Sequence, residues 1–80
     1  MKKIGVYILK GKRYYVGSTD DLERRLRQHQ DGHTHTTIRI GDWELVRFFP
    51  CTSIKEARRL ELKIKKSKNT ARWVVEQPRV

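Results

Sequence analysis

Cysteine, acidic residues and long apolar runs are all scarce in this sequence. Its 80 residues include one cysteine, Cys51, which excludes an internal disulfide and favours a reducing compartment. Cys51 directly follows Phe48-Phe49-Pro50, at what we expect to be the end of a strand, so we interpret it as structural. The apolar run near the N-terminus ends at Lys10, and no stretch is long enough to cross a bilayer. We therefore expect neither a signal peptide nor a membrane span.

The charge of the chain is strongly one-sided. Nine Asp and Glu stand against 19 Lys and Arg, which leaves a formal net charge of +10 at pH 7. The excess is spread along the chain, without repeats, linkers or low-complexity runs, and the length fits one domain over residues 1–80. A polyanion is the partner that such a charge favours, because neutralised phosphates release condensed counterions. A merely solvated surface is the alternative interpretation.

Two short apolar runs flank residues 10–12 and predict a β-hairpin. If these three residues form the loop, Tyr7 pairs with Tyr15 and both phenols point to the same face. Gly5 and Gly17, next to them, would leave backbone open to a ligand. A loop one residue shorter would shift the pairing by one and separate the phenols.

Apolar periodicity predicts six elements along the chain. They are strands at about 3–9 and 13–17, a helix at 20–30, a strand at 43–49, and helices at 54–66 and 67–76. Asp20 and Ser53, each followed three residues later by glutamate, are predicted N-caps. The first strand is apolar on both faces and is expected at the centre of the sheet. In the third strand, alternation predicts that Trp43, Leu45 and Phe49 share one face.

Ionisable residues interrupt the apolar stripes of the first two predicted helices. In the first helix, Arg25 and His29 lie at i+3 and i+7 from Leu22, on the face expected to meet the core. In the second, Glu61 lies on the stripe between Ala57 and Ile64. Such violations of local rules are expected at functional sites.

The residues named so far resemble the signature of the GIY-YIG endonuclease superfamily, with valine in both isoleucine places. The resemblance rests on Gly5-Val6-Tyr7, Tyr15-Val16-Gly17, Arg25, His29 and Glu61, and it extends from Gly5 to about Trp73. Residues 43–46 and 56–61 also look like those of small stand-alone bacterial members. It implies an α/β domain, a small three-stranded antiparallel sheet flanked by helices in the order β-β-α-β-α-α.

The resemblance further implies a cytoplasmic, metal-dependent endonuclease that hydrolyses DNA phosphodiester bonds in DNA repair or processing. In this interpretation Tyr7 activates water, as a phenolate or through a water chain, and Arg25 holds the scissile phosphate. Glu61 is the only protein ligand of one Mg²⁺ or Mn²⁺ ion. His29 is a second candidate general base, and Tyr15 orients the water or the phosphate. No small-molecule cofactor is expected, and the oligomeric state is not predicted.

Other residues are predicted to contact nucleic acid. The set comprises Lys10, Lys12, Arg13, Arg24, Arg39 and Asn69. Arg39 lies in a polar loop at 31–41 that is suited to phosphate and sugar contacts. This loop also holds His33 and His35, a departure from the relatives, and we reject a zinc site there because structural sites usually include thiolates. Asn69 either takes the place of a family asparagine or caps a helix.

Each assignment has a structural alternative. Tyr7 and Tyr15 are also typical half-buried strand aromatics, and Trp43 is either a base-stacking residue or part of the core. Arg25 and Glu61 could form an internal ion pair between two helices. At the level of the whole chain, the alternative is a non-catalytic nucleic-acid-binding module of the same fold. An RNA- or ribosome-associated protein rests on charge alone.

Overall fold

The computed structural model describes residues 2–31 and 42–75, which form one three-stranded antiparallel sheet and three helices. The elements follow the predicted order β-β-α-β-α-α. They are β1 (Gly5–Lys10), β2 (Tyr14–Thr19), α1 (Leu22–Gln30), β3 (Glu44–Pro50), α2 (Ile54–Ser67) and α3 (Thr70–Val75). No helix in these two segments is long and apolar enough to cross a membrane.

β1 lies at the centre of the sheet, as its two apolar faces predicted. Val6 and Ile8 point to one face and Tyr7 and Leu9 to the other, and all four side chains are fully buried. The Val6 face packs against α2 and α3, while the Tyr7 face packs against α1. One strand therefore contributes to two separate cores.

The hairpin register differs from the prediction by two residues. Tyr7 pairs with Gly17 and Leu9 pairs with Tyr15, so the loop consists of residues 11–13 instead of 10–12. The prediction that Tyr7 and Tyr15 are directly opposed is therefore wrong. Because side chains alternate with a period of two, a shift of two residues keeps both phenols on one face. Their ring centroids are 6.0 Å apart.

A β-bulge in the pairing of β1 with β3 overturns the predicted alternation of β3. Leu9 pairs with Leu45 whereas Ile8 pairs with Arg47, so Val46 is the extra residue. Beyond the bulge the faces are exchanged. Trp43 consequently packs on the α1 side of the sheet and Phe49 on the α2 side, and the two do not share a face.

Of the two predicted helix N-caps, one is confirmed and the other is wrong. Ser53 caps α2 by accepting the Glu56 N–H at 3.1 Å, as predicted. The cap of α1 is Asp21, which accepts the Arg24 N–H at 3.2 Å, so the prediction of Asp20 is wrong by one residue. Asp20 instead pairs with the Arg24 side chain at 2.7 Å, and this ion pair lowers the pKa of the Asp20 carboxyl.

Candidate active site

Three predicted site residues meet at one phenolic oxygen. Tyr7 reaches from β1 and is fully buried. Arg25 donates from Nε to the Tyr7 oxygen at 3.0 Å, and the same oxygen lies 3.0 Å from His29 Nε2. Because Arg25 only donates, the phenolic oxygen accepts from Arg25, and its own proton is available to an unprotonated His29 Nε2. In its neutral form with the proton on Nδ1, His29 accepts from Tyr7 through Nε2.

The environment keeps both titrating groups of this cluster uncharged. Burial is the main cause that lowers the pKa of His29 to about 4, and the nearby positive charge of Arg25 adds to it. Burial also raises the pKa of Tyr7 above its ordinary value, and this outweighs the opposing hydrogen bond from Arg25. Of the two forms expected for Tyr7, the phenolate is therefore disfavoured, because desolvation dominates.

Gly17 makes room for this cluster. A Cβ atom at position 17 would lie 2.6 Å from the Tyr7 hydroxyl and 2.7 Å from the ring carbon that bears it. The phenol of Tyr7 thus lies directly over the Gly17 backbone. Gly5 is approached in the same way by the backbone of Phe49 and the ring of Phe48. The expectation that these glycines leave backbone open to a ligand is wrong, since the protein itself fills both places.

Aromatic rings surround the His29 imidazole. The ring centroid of Tyr15 is 5.4 Å from that of His29, and the centroid of Trp43 is 6.0 Å away, both in edge-on geometry. Trp43 is partly buried against the core that contains Tyr7, which favours the structural interpretation of this tryptophan. The rings fix the orientation of His29 and contribute to its desolvation.

A basic cleft of about 320 Å³ opens beside Arg25. It is lined by β2, α1 and α2 through Ser18, Thr19, Asp20, Arg24, Arg25, Gln28, Ile54 and Arg58. One Arg25 Nη atom donates to Gln28 Oε1 at 2.9 Å, so the guanidinium is held at the cleft wall by bonds on two sides. Arg58 was missed by the sequence analysis, because an arginine on an exposed helix face resembles ordinary surface charge.

Glu61 lies on α2, on the stripe that also holds the buried Ala57 and Ile64. Its side chain is 19% exposed. Ser18 Oγ donates to its Oε1 at 2.6 Å, and Lys65 Nζ pairs with its Oε2 at 2.6 Å. The alternative of an Arg25–Glu61 ion pair is therefore not supported. Ser18, which also lines the cleft, connects the carboxylate to it. No pattern in the sequence indicated the role of Ser18 or Lys65.

The possible metal ligands at this site fit one hard divalent cation that keeps most of its waters. They do not fit a metal ion that is enclosed by protein ligands. Among residues 2–31 and 42–75, no group of three or more His, Cys, Asp or Glu side chains could hold a metal ion. A single carboxylate is compatible with Mg²⁺ or Mn²⁺, which retain several waters and take oxygens from a substrate phosphate. The ammonium of Lys65 already occupies a cation position at Glu61.

The predicted nucleic-acid contacts do not all meet at the cleft. Arg24 lines it. Lys10, Lys12 and Arg13 are exposed at the hairpin turn, at the opposite end of β2 from Ser18. Asn69 lines a separate groove of about 360 Å³ with Ser67, Arg72 and Trp73. Arg39, His33 and His35 fall outside the described residues.

Asn69 directly precedes α3. Its carbonyl accepts the Arg72 N–H at 3.2 Å, and its own N–H donates to Ser67 Oγ at 3.3 Å. These backbone bonds are those of a residue that starts a helix. They favour the helix-cap interpretation over the family asparagine.

Comparison with known proteins returns one family. The family model described as the GIY-YIG catalytic domain matches residues 3–73, nearly the whole chain. No curated protein and no solved structure matches this sequence.

Proposed function

We propose that this chain, which belongs to the GIY-YIG catalytic domain family, is an endonuclease that hydrolyses DNA phosphodiester bonds with the help of one divalent cation. The family is one of nucleases that act on DNA. The observation that carries the proposal is the Arg25–Tyr7–His29 cluster beside a cleft lined by further arginines. A role in DNA repair or processing is part of the same proposal.

In the proposed mechanism, water is activated by a relay of two proton transfers. Tyr7 takes a proton from the attacking water while its own proton passes to His29 Nε2, 3.0 Å away. This exchange avoids a buried phenolate, which the environment of Tyr7 disfavours. Each proton transfer needs only a short heavy-atom distance, and this requirement is met between Tyr7 and His29.

Substrate binding itself strengthens His29 as a base. One cause of its low pKa is the positive charge of Arg25. A phosphate bound by Arg25 neutralises that charge, so the pKa of His29 rises when the substrate is in place. His29 is thereby neutral in the free protein and becomes a better proton acceptor in the complex.

The arginines position the phosphate. Nε of Arg25 is committed to Tyr7 and one Nη atom to Gln28, while the planar guanidinium lines the cleft. Arg58 lines the same cleft from α2 and supplies a second positive charge. Two cations at the phosphoryl oxygens, one of them held by Tyr7 and Gln28, supply the electrostatic stabilisation that phosphoryl transfer requires.

Glu61 would hold the divalent cation, with Ser18 orienting its carboxylate. When bound, such an ion supplies positive charge at the leaving oxygen. Lys65 must release Oε2 or move aside for the ion to bind there. The half-exposed position of Lys65 makes such a movement inexpensive.

The test is to compare cutting with binding in the same protein. Labelled branched, nicked and linear DNA is incubated with wild type, Glu61→Ala and the control Glu44→Ala, in Mg²⁺, Mn²⁺ or chelator. Wild type should cut only with metal. Glu44→Ala should behave like wild type, because Glu44 is exposed on β3 and lines neither the cleft nor the Tyr7 cluster. Glu61→Ala should bind with nearly unchanged affinity and not cut.

Two outcomes would contradict parts of this proposal. Equal cutting by wild type and Glu61→Ala would exclude Glu61 as the metal ligand. Wild type that binds DNA in chelator and cuts none of the three substrates with either metal would favour the non-catalytic binding module.

A further inference from the structure

A second basic groove, separate from the cleft, lies between the N-terminal segment and α1. We call it the α1 groove; its volume is about 510 Å³ and it is lined by Lys2, Lys3, Asp21, Glu23, Arg24 and Arg27. Arg24 lines both the α1 groove and the cleft beside Arg25. The two basic depressions are therefore neighbours that share one arginine.

The α1 groove is built by backbone contacts that place its cations. Leu22 N–H donates to the carbonyl oxygen of Lys3 at 3.0 Å, which holds the N-terminal segment against the first turn of α1. Arg24 and Arg27 are three residues apart on α1 and lie on the same side of the helix. Lys3, Arg24 and Arg27 are all exposed. The backbone that carries these cations is thus fixed in position, and the cationic side chains are accessible.

The balance of charge in the α1 groove favours an anion. Four cationic side chains face two carboxylates, Asp21 and Glu23. The Asp21 carboxylate is partly engaged, since it accepts the backbone N–H of Arg24 at the start of α1. Arg24 is also held from the cleft side, where Asp20 accepts from its guanidinium at 2.7 Å. In a nucleic acid, the anionic groups that lysines and arginines contact are the backbone phosphates.

We infer that the α1 groove binds a backbone phosphate flanking the one held in the cleft, and that Arg24 bridges the two positions. The inference rests on the proposed function, because the same nucleic acid must occupy both places. Contacts of this kind fix the position of a nucleic acid without reading its sequence. The strand would pass over Arg24, with the bond to be cut at Arg25 and its flank along Lys3 and Arg27.

The test uses matched charge removals and the salt dependence of binding. Lys3→Gln and Arg27→Gln remove cations of the α1 groove, while Lys63→Gln and Lys66→Gln remove exposed cations of α2 that line neither depression. Affinity for labelled duplex DNA is measured by fluorescence anisotropy in chelator over a series of salt concentrations. Each lost phosphate contact should reduce the slope of log K against log salt by about 0.9.

Lys3→Gln and Arg27→Gln should show this smaller slope and weaker binding, and Lys3→Arg should restore the wild-type slope. The α2 controls Lys63→Gln and Lys66→Gln should keep the wild-type slope, because neither residue lines the α1 groove or the cleft. Slopes equal to those of the α2 controls would overturn the inference while leaving the proposed function intact. A wild type with no salt-dependent binding to DNA would instead overturn the proposed function.

Discussion

Tyr7 combines properties that are rarely found in one side chain. It is fully buried on the central strand, yet its hydroxyl accepts from Arg25 and lies 3.0 Å from His29 Nε2. A merely structural tyrosine needs one partner for its hydroxyl, whereas this one bonds to a charged donor and a neutral base. The hydroxyl therefore has a role that phenylalanine, with the same shape, could not perform.

Replacing Tyr7 by phenylalanine should reduce the cutting rate by at least about 10²-fold, the usual scale for general acid–base catalysis. Tyr15→Phe should lose less, since its ring contacts His29 but its hydroxyl is not the centre of the cluster. Tyr14→Phe is the control, because Tyr14 packs in the core on the other face of the sheet. Single-turnover cutting in Mn²⁺ measures all three. Equal rates for Tyr7→Phe and Tyr14→Phe would exclude Tyr7 from the chemistry.

His29 should make the free energy of unfolding depend on pH. Its pKa is about 4 in the folded protein and about 6.5 in an unfolded chain. Between these values the unfolded state binds more protons, so stability is complete above pH 6.5 and falls as the pH is lowered towards 4. The loss attributable to this group is up to about 3 kcal/mol.

Urea denaturation at several pH values, for wild type and His29→Gln, measures this contribution. Glutamine retains an oxygen that accepts from Tyr7 but does not titrate. The stability of His29→Gln should therefore fall less steeply between pH 6.5 and 4 than that of wild type. Parallel curves in that window would show that His29 is not held neutral.

At the scale of elements, α2 carries two residues of the candidate site and is followed by a strained cap. Arg58 and Glu61 lie on successive turns of α2, and the C-cap Lys68, directly after Ser67, adopts the left-handed conformation with φ of 55°. Glycine is the residue usually found at such a position, because a Cβ atom is unfavourable there. Lys68 lies beyond the residues that line the cleft, so the cap of α2 can be changed independently of the site.

Lys68→Gly should stabilise the protein by about 0.5–1 kcal/mol, the relief of strain being partly offset by the greater freedom of glycine in the unfolded chain. Lys63→Gly, in the interior of α2 and equally exposed, should destabilise it by about 1 kcal/mol. Equilibrium urea denaturation compares both with wild type. Destabilisation by both variants would mean that Lys68 makes interactions that outweigh its strain.

Element order and helix stripes were predictable from sequence because they depend on local periodicity. Arg25, His29 and Glu61 were identified by their position on apolar stripes, and the structure places all three facing inwards. The prediction that Tyr7 and Tyr15 share a face was correct although the predicted register was wrong, because the register error was an even number of residues. The bulge at Val46 had no local signal, because it arises only when β3 pairs with β1. Ser18 and Lys65 likewise become informative only when Glu61 is placed beside them.

At the scale of the whole molecule, binding of metal should be visible as a shift in thermal unfolding. Glu61 is paired with Lys65, whose side chain is 50% exposed, so Glu61→Gln removes an ion pair worth only about 0.3–0.5 kcal/mol. Without metal, the melting temperature of Glu61→Gln should therefore stay close to that of wild type. Mn²⁺ at 100 times its Kd should stabilise wild type by about 2.7 kcal/mol and leave Glu61→Gln unchanged.

Differential scanning calorimetry with and without Mn²⁺ makes this comparison, with Glu44→Gln as the control that should respond like wild type. In a domain of this size, 1 kcal/mol corresponds to a shift of about 4–8 °C. A large fall in melting temperature for metal-free Glu61→Gln would show that Glu61 is a structural residue. A wild type that does not respond to Mn²⁺ would argue against metal binding at Glu61.

The central position of β1 couples the two cores of this domain. Val6 and Ile8 belong to one core, Tyr7 and Leu9 to the other, and the same backbone joins them. Neither layer can open without exposing side chains of the strand that holds the other, so the helices do not form independent folding units. A partly unfolded state that keeps Tyr7 beside His29 is therefore disfavoured. The geometry of the Arg25–Tyr7–His29 cluster and the native fold are therefore gained and lost together.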